Sequence, residues 1–186
     1  NGLILCLALP FEIYAIWRET KKFDKKWLWL GLMPLGFISY LLLNYAVMGN
    51  PLAFLDIQRA HWQKFLTYPW TAISGKINQV INQSEPTPKM EGIFELVFVA
   101  IGFFSIIIGW RKLRDSYKVW MIASWLLFVS TSFILSVPRY TLTMFPLFIL
   151  IALAAKRRIP FALITVLSIL NLAMFTIAFV QGRWAF

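Results

Sequence analysis

The sequence predicts an all-α, polytopic membrane protein with about six transmembrane helices plus interfacial amphipathic helices. Three observations lead there. Of 186 residues, 60% are hydrophobic, 17% aromatic and only 14% charged, more apolar side chain than one soluble core of this length can hide. The apolar residues fall into six runs, roughly 3–17, 27–49, 92–110, 119–137, 140–155 and 159–180, with Glu12 and Glu95 as the acids inside them. The basic residues crowd the short connections between runs. That distribution explains the net charge of +10 through membrane topology and removes the need for a nucleic-acid partner.

The first run is shorter than the roughly 20 residues a span requires, and it follows directly on Asn1 and Gly2. The chain is therefore expected to be a piece of a longer protein. Arg18, Lys21, Lys22, Lys25 and Lys26 separate runs one and two; Arg111, Lys112, Arg114 and Lys118 separate three and four; Lys156, Arg157 and Arg158 separate five and six. Twelve of the 18 basic residues thus sit in three short loops, which the positive-inside rule assigns to the cytoplasm. Segment 50–91 and the turn Pro138-Arg139-Tyr140 are then outer or luminal. The single cysteine, Cys6, allows no internal disulfide and no cysteine metal site.

Within 50–91, Leu52 to Tyr68 places Leu52, Leu55, Trp62, Phe65 and Leu66 on one helical face. Ile73, Ile77, Val80 and Ile81 repeat the pattern. Both read as interfacial helices anchored by Trp62 and Trp70, with Pro86 and Pro88 in a linker before the third run. Asn82-Gln83-Ser84 matches a glycosylation acceptor. Gly102, Ser105 and Gly109 form a small-residue stripe suited to close helix approach.

The candidate chemistry lies on the outer side. Asp56 and Arg59 are spaced for an ion pair on one helix. Gln58 and Trp62, with His61 beside them, suit a sugar or a phosphate-bearing headgroup and equally suit an interfacial anchor. His61, the single histidine, has no evident metal partners, and no metal site is expected. Arg139, set in a turn tightened by Pro138 and followed by Tyr140, is placed either to grip a phosphate with two parallel hydrogen bonds or to snorkel to headgroups. Glu12 is expected to snorkel toward the cytoplasmic side near Arg18, and Glu95 to lie in the first turn of its helix, favoured by the dipole.

Two stretches, Gly49-Asn50-Pro51-Leu52-Ala53-Phe54-Leu55 running on to Gln58 and Trp62, and Ser136-Val137-Pro138-Arg139-Tyr140 continuing to Phe145-Pro146-Leu147-Phe148, together resemble the C-terminal half of the PIG-V-like mannosyltransferases, relatives of GPI mannosyltransferase 2. The opening Asn1-Gly2-Leu3 also resembles the start of a mid-chain helix there. Asn50 departs from the Asp that often precedes Pro-Leu in the family. The resemblance implies a GT-C-like fold, with residues 1–186 forming the C-terminal part of one transmembrane domain and the catalytic loop lying in an absent N-terminal half. It implies mannose transfer from a polyprenyl- or dolichyl-phosphate-mannose donor to a lipid-linked or GPI-type acceptor, in the plasma membrane of a prokaryote or the endoplasmic reticulum of a eukaryote. No further cofactor is expected, and the partners are membrane lipids, the lipid-phosphate sugar and a glycolipid acceptor. Donor or substrate binding falls to Arg139, Tyr140, Gln58, His61, Trp62 and Asp56. A transporter or flippase fragment, or a structural membrane subunit, are the competing readings.

Overall fold

The computed structural model describes residues 2–183, so Asn1 of the family-like opening lies outside the described residues. Nine α-helices and one 3-10 helix form among them. They are α1 (Gly2–Thr20), the 3-10 helix (Lys25–Leu32), α2 (Leu35–Met48), α3 (Ala53–Trp62), α4 (Pro69–Asn82), α5 (Pro86–Gly109), α6 (Asp115–Val129), α7 (Val137–Thr141), α8 (Pro146–Ala154) and α9 (Arg158–Val180). Three stretches, Lys25–Met48, Pro86–Gly109 and Arg158–Val180, are long and apolar enough to cross a membrane. The fold is all-α, and its three apolar helical stretches are consistent with a membrane-associated protein.

Several boundaries differ from the sequence expectation for local reasons. Pro86 and Pro88 belong to the first turn of α5, where a proline's missing N–H has no helical partner to lose. The helix expected over Leu52–Tyr68 stops at Trp62, because Gln63 adopts a left-handed conformation (φ 51°). The run 119–137 is helical only to Val129. Beyond it the chain pairs with the segment after α3: Thr67 N–H donates to Ser130 O (3.1 Å), and Ser132 N–H to Phe65 O (2.8 Å). Ser136 is left-handed (φ 61°), and Pro138-Arg139-Tyr140, expected as a tight turn, is instead the body of the short helix α7.

The core is built where α4, α5, α6 and α7 meet, around Met121, Val129, Ile134, Val137 and Met144. The small-residue stripe serves the close approach expected of it. A Cβ built on Gly102 would lie 2.8 Å from Trp125 Cδ1, and one on Gly109 would lie 3.2 Å from Leu150 Cδ1. The space left at Gly102 lets the Trp125 indole of α6 lie against α5 and donate its N–H to Val99 O (3.0 Å). Antiparallel to α6 runs α1, packed through Ile4, Ala8 and Trp120.

Outside this core the chain is unusually open. Its accessible surface is 13231 Å² at 21.6 kDa, against about 9,200 Å² for a compact soluble protein of that mass. The excess is apolar: α2 and α9 contribute no buried residue. Such surface needs lipid or protein to cover it.

The two ends of the bundle differ in charge. Arg114 contacts Glu12, and Gly109 faces Leu150, which brings the loops after α1, α5 and α8, with their twelve basic residues, to one end. At the other end gather the start of α1, α3, the paired segments and α7.

Gly102→Ala is expected to lower stability by about 1–3 kcal/mol through overpacking against Trp125. Gly75→Ala in α4, where nothing lies within 4 Å, should instead be neutral or stabilising by up to about 1 kcal/mol. Thermal unfolding in detergent micelles checks both; equal melting of the two variants contradicts the packing account.

Candidate functional site

At the end away from the basic loops, a cleft of about 930 Å³ opens between α1, α2, α3, α6 and α7. One wall is apolar, formed by Leu3, Phe37, Phe54, Leu127 and Phe128; Asp56, Gln58, Arg59 and Lys64 are the polar groups, with Tyr140 beside Lys64, and Thr143 is held next to Trp120 of α6. An apolar wall leading to a cationic mouth is the layout an amphiphile with an anionic head requires.

Lys64 is the best-placed cation. It follows left-handed Gln63, its N–H donates to Gln58 O (3.1 Å), and its ammonium lies 5.7 Å from the ring centres of both Phe133 and Tyr140. Aromatic faces hold a cation without neutralising it, so it keeps its charge for an anion. Arg59 lies over Phe65, 5.4 Å from the ring centre, and turns away from Asp56. The expected Asp56–Arg59 ion pair is absent: Asp56 instead accepts from Asn50 Nδ2 (3.1 Å), while Asn50 Oδ1 accepts from Leu52 N–H (2.9 Å). An amide at position 50 thus ties the entry of α3 to Asp56, where an aspartate would set two carboxylates against each other.

The six sequence candidates divide. Asp56, Gln58 and Tyr140 line the cleft together. His61 and Trp62, at the end of α3, are exposed and do not line it. Arg139 is exposed and does not line it, its guanidinium 5.7 Å from the Tyr140 ring centre.

Behind the cleft lies a group whose role was misread from sequence. Glu95 is ten residues into α5, not in its first turn, and is 2% exposed. Its carboxylate accepts from Ser136 N–H (2.6 Å) and Val137 N–H (2.7 Å), the first amides of α7. Two charge-assisted bonds hold α7, and with it Tyr140, against α5. The left-handed Ser136 lets its own N–H and that of Val137 meet one carboxylate, and the left-handed Gln63 directs the chain from α3 to Lys64. Nearby on α4, burial pushes the Lys76 ammonium below the ordinary lysine range, and Glu95 and Glu91 pull it part of the way back.

Glu12 gains partners that the sequence did not name. It accepts from Arg114 Nη1 and Ser116 Oγ, both at 2.6 Å, and so points toward the basic end and ties α1 to the start of α6. Lys64 does not stand out in the sequence, and Glu95 reads there as a helix-start acid. Their partners lie more than 40 residues away and leave no local pattern.

No protein-family model matches the chain, and no curated protein or solved structure matches it.

Glu95→Gln is expected to destabilise by about 1–3 kcal/mol, because an amide offers one acceptor oxygen and sets its NH₂ against a backbone N–H. A cysteine at Tyr140 should then label faster with a soluble maleimide; unchanged melting and labelling would remove α7's dependence on Glu95. For Lys76, a lowered folded pKa means that the charged form costs stability below that value, and the cost fades as pH climbs toward the ordinary lysine value. Stability should therefore rise with pH across that alkaline window, and Lys76→Met should flatten the rise when melting is followed against pH.

Proposed function

We propose that this chain belongs to a membrane mannosyltransferase of the GT-C type, which takes mannose from a polyprenyl- or dolichyl-phosphate carrier, and that the cleft holds the phosphate end of one of its lipid substrates. The observation that carries this reading is the cleft itself: an apolar wall ending at Lys64, Arg59 and Tyr140. The family-like stretches supply two of its walls, Phe54, Leu55 and Gln58 from the first and Tyr140 from the second. In the proposed orientation the basic end is cytoplasmic and the cleft is outer or luminal, following the positive-inside rule.

The chemistry of such a transfer needs two things. A carboxylate must take the proton from the acceptor hydroxyl, and cations must stabilise the lipid phosphate as the glycosidic bond to it breaks. Arg139, exposed beside the cleft, is the candidate for the second, while Lys64 and Arg59 hold the phosphate of the lipid substrate seated in the cleft. Asp56, already accepting from Asn50, is not assigned the first. A scaffold that merely binds lipid is the second reading, favoured by the exposed apolar faces of α2 and α9.

Lys64→Ala in the intact enzyme should cut mannose transfer from polyprenyl-phosphate-mannose by at least about tenfold, the effect of losing one charge-assisted contact of about 1.5–3 kcal/mol. Arg139→Ala should lower it less. Radiolabelled mannose transfer in membranes, corrected for the amount of inserted protein, is the measurement. Undiminished transfer by Lys64→Ala rules out the phosphate role, and lipid binding with no transfer by the wild type favours the scaffold.

A further inference from the structure

Ser124 of α6 lines the same cleft, below its mouth. The residue is 2% exposed, and its Oγ is the one buried side-chain polar atom among the described residues with no hydrogen-bond partner. Its counterparts are satisfied: Ser105 donates to Gly102 O, Thr141 to Val137 O, and Ser116 to Glu12. Leaving a buried hydroxyl unmade is costly, so an orphan on a binding surface points to a ligand group that completes it.

Its depth says which kind of group. Lys64 lies in the segment that pairs with residues just past the end of α6, so the cations mark the level of that end. Ser124 precedes Val129 by five residues, about 7.5 Å down the helix axis. Leu127 and Phe128, on the turn between, are apolar. A ligand seated here meets positive charge, then hydrocarbon, then a hydroxyl. A prenyl chain below its phosphate is hydrocarbon throughout and leaves Ser124 unpaired. A diacyl glycerophospholipid, or a glycolipid built on one, carries an ester carbonyl one glycerol unit below the phosphate.

We infer that the cleft binds an anionic, ester-linked glycerolipid, with its phosphate at Lys64 and Arg59 and an acyl carbonyl accepting a hydrogen bond from Ser124 Oγ, turned toward it about the Cα–Cβ bond. The inference rests on the lipid-phosphate reading of the cleft and narrows it from any phosphorylated amphiphile to one class.

The test compares binding of diester phosphatidylglycerol, its diether analogue and diacylglycerol to the purified chain in detergent, by native mass spectrometry. The diether keeps the phosphate and lacks the carbonyl; diacylglycerol keeps the carbonyls and lacks the phosphate. The wild type should prefer diester over diether by about 3- to 10-fold, the value of one neutral hydrogen bond. Ser124→Ala should bind both equally, at the wild type's diether affinity. Lys64→Ala should weaken both while keeping the diester preference. Equal binding of diester and diether by the wild type, or a preference that survives Ser124→Ala, overturns the role of Ser124 and leaves the phosphate reading standing. Diacylglycerol binding as well as phosphatidylglycerol, with Lys64→Ala indifferent, overturns both.

Discussion

The cleft depends on one buried carboxylate. Glu95 has its two oxygens 2.6 and 2.7 Å from consecutive backbone nitrogens at the start of α7. A helix of five residues cannot hold itself together in isolation, since nucleation costs more than one turn returns. Here the first two amides of that turn, which have no helical acceptors of their own, are met by a full negative charge fixed on the long helix α5. The position of α7 within the interrupted apolar hairpin between α6 and α8 follows from this. Pro138 and the pairing of residues 130–132 with residues 65–67 also keep this segment from continuing α6, and Glu95 fixes where its one helical turn sits.

From that anchor the site is assembled by short links. Residues 130–132 pair with residues 65–67, Ser132 Oγ donates to Gln63 O (2.7 Å), and Lys64 is thereby carried to the rings of Phe133 and Tyr140. Trp120 Nε1 donates to Thr143 O (2.9 Å) and fixes the exit of the same segment. The result is polar backbone packed onto the protein at the end of an apolar bundle, with several of its amides matched across the two segments. This is the arrangement required of irregular chain near a membrane.

The larger architecture follows from what is left uncovered. With α2 and α9 contributing nothing to the core, the packed unit is α1 with α4 to α8, and the two long apolar helices stand at its margins. One end of the unit is basic and the other aromatic and polar. A charge-poor cleft mouth holding a few cations therefore stands apart from the bulk of the positive charge, which makes those cations specific features and not part of a general basic field.

Composition and periodicity settled the class. Sixty per cent hydrophobic residues in long runs, and basic residues confined to short connections, make an all-α chain with helices fit for a bilayer the solution open to the sequence. The small-residue stripe on α5 and the amphipathic α3 and α4 were legible for the same reason: their signals repeat within a few residues along one helix face. Asp56, Gln58 and Tyr140 were legible as candidates because polar groups beside apolar runs stand out. Tertiary structure alone decided which of them meet. Glu95 with Ser136, Glu12 with Arg114, and Lys64 with Tyr140 are pairs formed across 41 to 102 residues, and no local spacing encodes them. The end of α6 at Val129 was likewise missed, because the run stays largely apolar past it and the competing bonds come from another part of the chain. Hydrophobic periodicity reports burial along an element. The chemistry of the cleft resides in contacts between elements, and those exist only once the chain has packed.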